Sequence, residues 1–148
     1  MQSTKIYKID EIPKRILDTI DHDFKNADPG SNVYYCYLEQ TEYIKRQEPN
    51  TFLVSAFVGE VYLGGVILFL TKRHNIPTPS MEGIVRSQEG LNLPVKLNSL
   101  LIPAIKEFLK ERGYSALYVE PLEKQERILT NHYGFLPYDD CDNFVLNF

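Results

Sequence analysis

An apolar stripe between two strand-like runs constrains this chain more than any other feature. Leu97, Leu100, Leu101, Ala104, Ile105, Phe108 and Leu109 recur at steps of three and four residues, which puts them on one face of a helix. Lys110 and Arg112 suit the negative end of that helix, and Gly113 is a natural stop. Pro79 to Ser87 reads as a core strand before it, and Tyr114 to Glu120 as another after it, ended by Pro121. A helix-length connection between neighbouring strands implies a parallel pair with a right-handed crossover. The spacing therefore predicts parallel strands at 81–87 and 114–120, joined by a helix over about 96–112. Pro103 lies inside the pattern, so either the helix kinks there or its regular part begins near Ser99.

Thr51 to Lys72 carries the clearest β signal. Its runs Phe52 to Val58 and Val61 to Thr71 meet at Gly59-Glu60, a two-residue turn that needs positive φ at its first position. Gly64-Gly65 inside the second run marks a bulge or the close approach of another group. Lys5 to Ile9 alternates as a short first strand. Asp10, Pro13 and then Ile16, Leu17, Ile20 and Phe24 open a first helix, and Asp28-Pro29-Gly30-Ser31 closes it in a turn. Val33 to Gln47 carries both patterns: Tyr34, Tyr35, Tyr37 and Tyr43 suit a strand, while Leu38, Glu42 and Lys45 suit a helix beginning near Tyr37. Those tyrosines either line an acceptor pocket or pack as core and rim. Glu123 to Asn131 reads as a short helix, and Phe135–Tyr138 and Asn143–Phe148 as closing strands.

No repeat or linker divides the 148 residues, which are read as one domain, 1–148, of mixed α/β class. Cys36 and Cys141 stand apart from each other and from any Cys/His grouping, so no metal site is expected and both are read as reduced thiols. Met1 to Asp10 lacks the basic-then-apolar order of a signal peptide. The longest apolar run, Val66 to Leu70, is far short of the roughly 20 residues of a membrane span, so no membrane is expected and a cytoplasmic protein is. A net charge of −4, a pI near 5.4 and the lack of a basic block argue against nucleic acid as a partner. The oligomeric state, a homodimer included, is left open by the residues.

From Phe52 to Phe148 the chain resembles the GNAT superfamily of acyl-CoA-dependent N-acyltransferases. The resemblance rests on the hairpin around Gly59-Glu60, the strand Met81–Ser87 and the helix with paired Leu100-Leu101. It continues through Glu111-Arg112-Gly113-Tyr114, which leads into Ala116-Leu117-Tyr118-Val119, and Ile128-Leu129 before Gly134-Phe135. The last is similar to the family's Leu-Tyr-x-x-x-Gly-Phe, with Thr130 where tyrosine is usual. The implied fold is a central, mostly antiparallel sheet split between strands 81–87 and 114–120, flanked by helices. The implied reaction is acetyl transfer from acetyl-CoA to an amine, either of a small molecule or of a protein.

The resemblance also implies where the cofactor lies. A helix N-terminus offers free N–H groups and partial positive charge to a pyrophosphate. The family's fingerprint is Arg or Gln, two residues, Gly, one residue, then Gly or Ala. Counted back from Leu100-Leu101, its positions fall on Asn92, Val95 and Leu97, none of the expected type. Backbone amides of Val95, Lys96, Leu97 and Asn98 remain as anion donors, with Lys96 adding charge; a second register uses Gln88 and Gly90. The pantetheine arm would pair with the strand backbone at Ile84, Val85 and Arg86.

For catalysis the amine must lose a proton and the departing thiolate must gain one. Glu82 stands where the family often carries a glutamate. By simple alternation it shares a face with Ile84 and Arg86; it is either the base or a charge at the strand's surface. Thr130, in the place of the usual phenol, is the weaker acid, and Tyr133 is its substitute or a packing aromatic. His74 and His132 are candidate bases or surface histidines; His22 has no partner in the sequence. The second reading of the whole chain is a GNAT-like binding or regulatory domain without transfer chemistry.

Overall fold

The computed structural model describes residues 1–148 except 74, 122 and 141, with 123 and 124 described by backbone alone. β1 (Gln2–Lys8) is followed by α1 (Lys14–Lys25) and α2 (Asn32–Arg46), then by the consecutive strands β2 (Thr51–Val58), β3 (Val61–Phe69) and β4 (Ser80–Arg86). α3 (Leu97–Glu111) crosses to β5 (Ala116–Val119), and α4 (Glu123–Tyr133), β6 (Leu136–Pro137) and β7 (Phe144–Asn147) complete the chain. One seven-stranded sheet results, in the order β1-β2-β3-β4-β5-β7-β6. Its pairings are antiparallel except that between β4 and β5, which is parallel as the crossover spacing predicts. No helix among the described residues is long and apolar enough to cross a membrane.

β2 and β3 are buried on both faces and so are nearly continuous in apolar residues. On one face Ile16 and Ile20 of α1 pack with Leu53, Phe57, Ile67 and Phe69. On the other, Leu97, Leu101, Ile105 and Leu109 of α3 pack with Val54, Val66, Leu68, Leu117 and Val119. α3 runs unbroken through Pro103, whose ring is exposed, so the missing hydrogen bond falls on the solvent side. It ends with Gly113 at φ 84°, where the amides of Gly113 and Tyr114 return to Lys110 and Leu109.

Two helix starts differ from the sequence reading. α2 starts at Asn32, not near Tyr37, because Ser31 caps it: the Ser31 hydroxyl accepts the Tyr34 amide at 3.3 Å. Burial of Tyr37 and Gln40 against the sheet then outweighs the weak helix preference of the tyrosines. α1 starts at Lys14 with Pro13 as its N-cap, since Ile9 and Ile12 are drawn into the core before the helix begins. Cys36 is a free thiol, and the expectation for Cys141 lies outside the described residues.

Candidate functional site

β4 and β5 touch only briefly. Ser80 pairs with Tyr118 and Met81 with Val119, and there β5 ends, while β4 continues to Arg86 with no strand on that edge among the described residues. Within β4 the register against β3 slips: Glu82 faces Ile67 and Val85 faces Gly65, so Gly83 and Ile84 together stand across from Val66. Gly83 takes φ 69°, and a Cβ there would lie 3.4 Å from the Gln40 amide nitrogen. The Gln40 side-chain amide secures the bulge, donating to Gly83 O at 2.8 Å and Gly65 O at 3.1 Å. The extra residue resets the alternation. Glu82 therefore faces α2, whereas Ile84 and Arg86 face α3, which corrects the expectation that all three share one face.

On the α3 side the fork opens into a narrow cleft. Val66, Met81 and Ile84 form one wall, Val119 and Leu129 the other, and Asn98 and Gln125 supply polar groups. The Asn98 Oδ1 is buried with no hydrogen-bond partner among the described residues, an acceptor left free in a mostly apolar slot. α3 also begins without a side-chain cap and without an acidic residue in its first turn. The amides of Lys96, Leu97 and Asn98 have no backbone partner among the described residues. This combination of a free strand edge, an orphan acceptor and an uncapped helix start fits the arm and anionic end of a coenzyme A thioester.

The loop before α3 is held from within by Arg86. Its Nη2 donates to Gly90 O at 2.9 Å and Leu93 O at 2.6 Å, its Nε to Gly90 O at 3.2 Å, and its Nη1 to Val95 O. Asp23, buried on α1, accepts the Gln88 amide at 3.1 Å and fixes the start of the same loop. The Val95 amide donates to Leu93 O at 2.8 Å, so it is spent and leaves the expected set of anion donors. Gly90 is likewise no phosphate cradle: a Cβ there would meet Leu63 at 2.9 Å, so its small size serves packing on β3. Leu97 is buried against Gly64, whereas Asn92 and Lys96 are exposed. The Arg86 carbonyl accepts the Tyr37 hydroxyl at 3.0 Å and the Val85 carbonyl is turned toward Gly64 on β3, which leaves Ile84, rather than the expected 84–86 run, as the unencumbered part of the strand edge.

On the α2 side stands a different chemistry. Glu82 Oε2 accepts the Tyr43 hydroxyl at 2.9 Å and pairs with the Arg73 guanidinium, which also donates to the Tyr43 oxygen at 2.6 Å and stacks 4.0 Å over Phe69. The side chains of Arg73 and Glu82 are 17% and 22% exposed, so this is a shielded pair and no surface bridge. Glu39, one turn before Tyr43 on the same helix face, joins them. Burial first, then the Glu82 charge, push the Glu39 carboxyl up to about 7, against the opposing pull of Arg73 and with help from Glu120. Burial and Glu82 also raise the Tyr43 phenol, keeping it a donor.

The sign of the resulting pH dependence is set by Glu39. Its carboxyl takes up a proton near its ordinary 4.5 in the unfolded chain but at about 7 in the folded one. The stability linked to that proton is complete below about 4.5 and lost as pH rises through about 7. Glu39→Gln is expected to flatten this decline and to melt higher than the parent protein above neutral pH, as thermal denaturation across pH would show.

Thr130 is exposed on α4 and lines none of the cleft, while Tyr133 packs half-buried against the α3-side core, its phenol raised by burial. His132 is exposed, His22 lies exposed 3.5 Å from Asp23, and His74 lies outside the described residues. Of the four tyrosines, Tyr43 belongs to the Glu82 network, Tyr37 is core, Tyr34 packs on Phe24, and Tyr35 is exposed. Sequence reasoning missed Glu39, Arg73 and Gln125. The spacing of Glu39 and Tyr43 on one helix face was the available signal for the first.

No protein-family model and no curated protein sequence matches the chain. Solved structures do. The N-acetyltransferase PseH of Campylobacter jejuni, in complex with acetyl coenzyme A, aligns over 98% of this chain and 99% of its own, at 17% identity and a TM-score of 0.59. FeeM, an N-acyl amino acid synthase from uncultured soil microbes, aligns over 99% of this chain and 90% of its own at 11% identity, with a TM-score of 0.67. A GCN5-related N-acetyltransferase from Rhodopseudomonas palustris aligns over 100% and 96%, at 10% identity and a TM-score of 0.64. With its parallel β4–β5 fork, bulged β4 and crossover helix, the chain has the fold of the GNAT superfamily.

Proposed function

We propose that this protein transfers an acyl group, with acetyl-CoA as donor, to the amine of an acceptor. One observation carries the reading: the last β4–β5 pair, Met81 with Val119, floors an apolar cleft on the α3 side, while the next residues, Glu82 and Glu120, border a carboxylate network on the α2 side. A donor arm and a cationic acceptor would thus approach the same fork from opposite faces. The presence of acetyl coenzyme A in the PseH complex supports the choice of donor. Bound acetyl-CoA supplies an activated acyl carbonyl. The Ile84 backbone and the Asn98 side chain would hold its arm, and the amides of Lys96, Leu97 and Asn98 its pyrophosphate, with Lys96 adding a salt-sensitive charge. Glu82, fixed by Arg73 and Tyr43, shapes the acceptor side.

The reading separates function from stability at Asn98. Asn98→Leu removes a buried acceptor that lacks a partner, so it is expected to stabilise the protein by about 1 kcal/mol while weakening acetyl-CoA binding about tenfold. Thermal melts and calorimetry check the two effects independently. The activity itself is tested by thiol release from acetyl-CoA in the presence of a panel of primary amines; release that depends on the amine supports transfer. The second reading, a binding domain without transfer, is favoured by Thr130, which is exposed and leaves no phenol at the family's position. Acetyl-CoA binding without amine-dependent thiol release would select it.

A further inference from the structure

We propose that Glu39 of α2, rather than Glu82 of β4, takes the proton from the acceptor's ammonium; the assignment rests on the acyltransferase reading of the fork. Glu82 is committed elsewhere: its Oε2 already accepts the Tyr43 hydroxyl and pairs with Arg73. Protonating it would break a shielded ion pair and leave the guanidinium uncompensated. Glu39 has no cation of its own. It sits half-buried one turn before Tyr43, which bonds to Glu82, and beside Gln40, which bonds to the β4 backbone at Gly83, so α2 holds it against the same fork. The groups facing it are Glu82 from β4, Arg73 from the β3–β4 connection, Tyr43 and Cys36 from its own helix, and Glu120 after β5. Several carboxylates share one guanidinium, so an added proton comes to rest on the carboxyl that no cation holds. Its upward shift to about 7 places that exchange near neutral pH.

In the step, one ammonium N–H bond breaks; its electron pair stays on nitrogen and the proton goes to the Glu39 carboxylate. The nitrogen pair then forms the bond to the thioester carbonyl carbon and the C–S bond breaks. The second nitrogen proton goes to the departing thiolate, and Glu39 returns its proton to solvent. Amide, thiol and one released proton account for all atoms.

The test follows thiol release from acetyl-CoA with the primary amine giving the fastest rate, from about pH 5.5 to 9, in the parent protein and the Glu39→Gln, Glu39→Asp and Glu82→Gln variants. The expected result is a parent kcat/KM that rises with pH through a limb near 7. Glu39→Gln should lower it by about 10²–10⁴-fold and abolish that limb, with acetyl-CoA affinity unchanged by calorimetry. Glu39→Asp should restore part of the rate together with the limb, and Glu82→Gln, which removes a charge that raises the Glu39 carboxyl, should keep a limb but move it to lower pH. A Glu39→Gln protein that melts normally and retains both rate and limb overturns the assignment while leaving the acyltransferase reading intact. Neither calorimetric heat nor thiol release in the parent protein would instead overturn that reading, and this assignment with it.

Discussion

Gly64→Ala is expected to destabilise the protein by about 3–5 kcal/mol, the largest loss from any single methyl group here. Gly64 adopts φ 147°, a conformation L side chains rarely take. A Cβ at this position would lie 2.3 Å from Val85 O and 2.9 Å from both Arg86 Cα and Leu97 Cδ2. Two of these neighbours are backbone, and the third is the first residue of α3, so little can yield. The collision would push β4 and the start of α3 away from β3, which also disturbs the cleft. Denaturant unfolding should show the loss, and Gly59→Ala serves as a contrast: φ there is 58° but no atom lies within 4 Å of the added Cβ. That turn should lose only about 1 kcal/mol.

Arg86→Met is expected to cost about 2–3 kcal/mol and to weaken acetyl-CoA binding by tenfold or more. The guanidinium gathers the carbonyls of Gly90, Leu93 and Val95, and no other side chain among the described residues donates to them. Without it the loop loses the contact that fixes its path into α3, and the amides at 96–98 are no longer held in one arrangement. Lysine keeps the charge but not the planar fork, so Arg86→Lys should recover only a minor part of both losses. Calorimetric affinity and chemical denaturation measure the two effects separately.

Much of the architecture was legible because it depends on local pattern. The stripe from Leu97 to Leu109 and its flanking strands specify the crossover and hence the parallel pair, and Gly59-Glu60 specifies the hairpin. What escaped depends on contacts between distant elements. Gly83 is an isolated glycine in a strand, a recognised sign of a bulge; alternation counted straight through it put Glu82 on the wrong face. The β4 bulge is secured by Gln40, a helix residue 43 positions upstream, so no local window contains its cause. Glu39 acquires its character only when α2 lies against β4 beside Glu82 and Arg73. The spent Val95 amide follows from a turn that Arg86 stabilises. Glycine-poor spacing in the loop was legible, but the arginine that organises it was not, because a guanidinium bonding to carbonyls leaves no periodic trace.

The central claim is that the β4–β5 fork binds acetyl-CoA, and titration of the isotope-labelled protein with acetyl-CoA, followed by backbone amide resonances, tests it most directly. Saturable shifts are expected at Ile84 on the free strand edge and at its neighbour Val85, and at Lys96, Leu97 and Asn98 at the start of α3, with β1 at the far edge of the sheet unmoved. Shifts confined to other surfaces, or none at these five residues under excess acetyl-CoA, would contradict it.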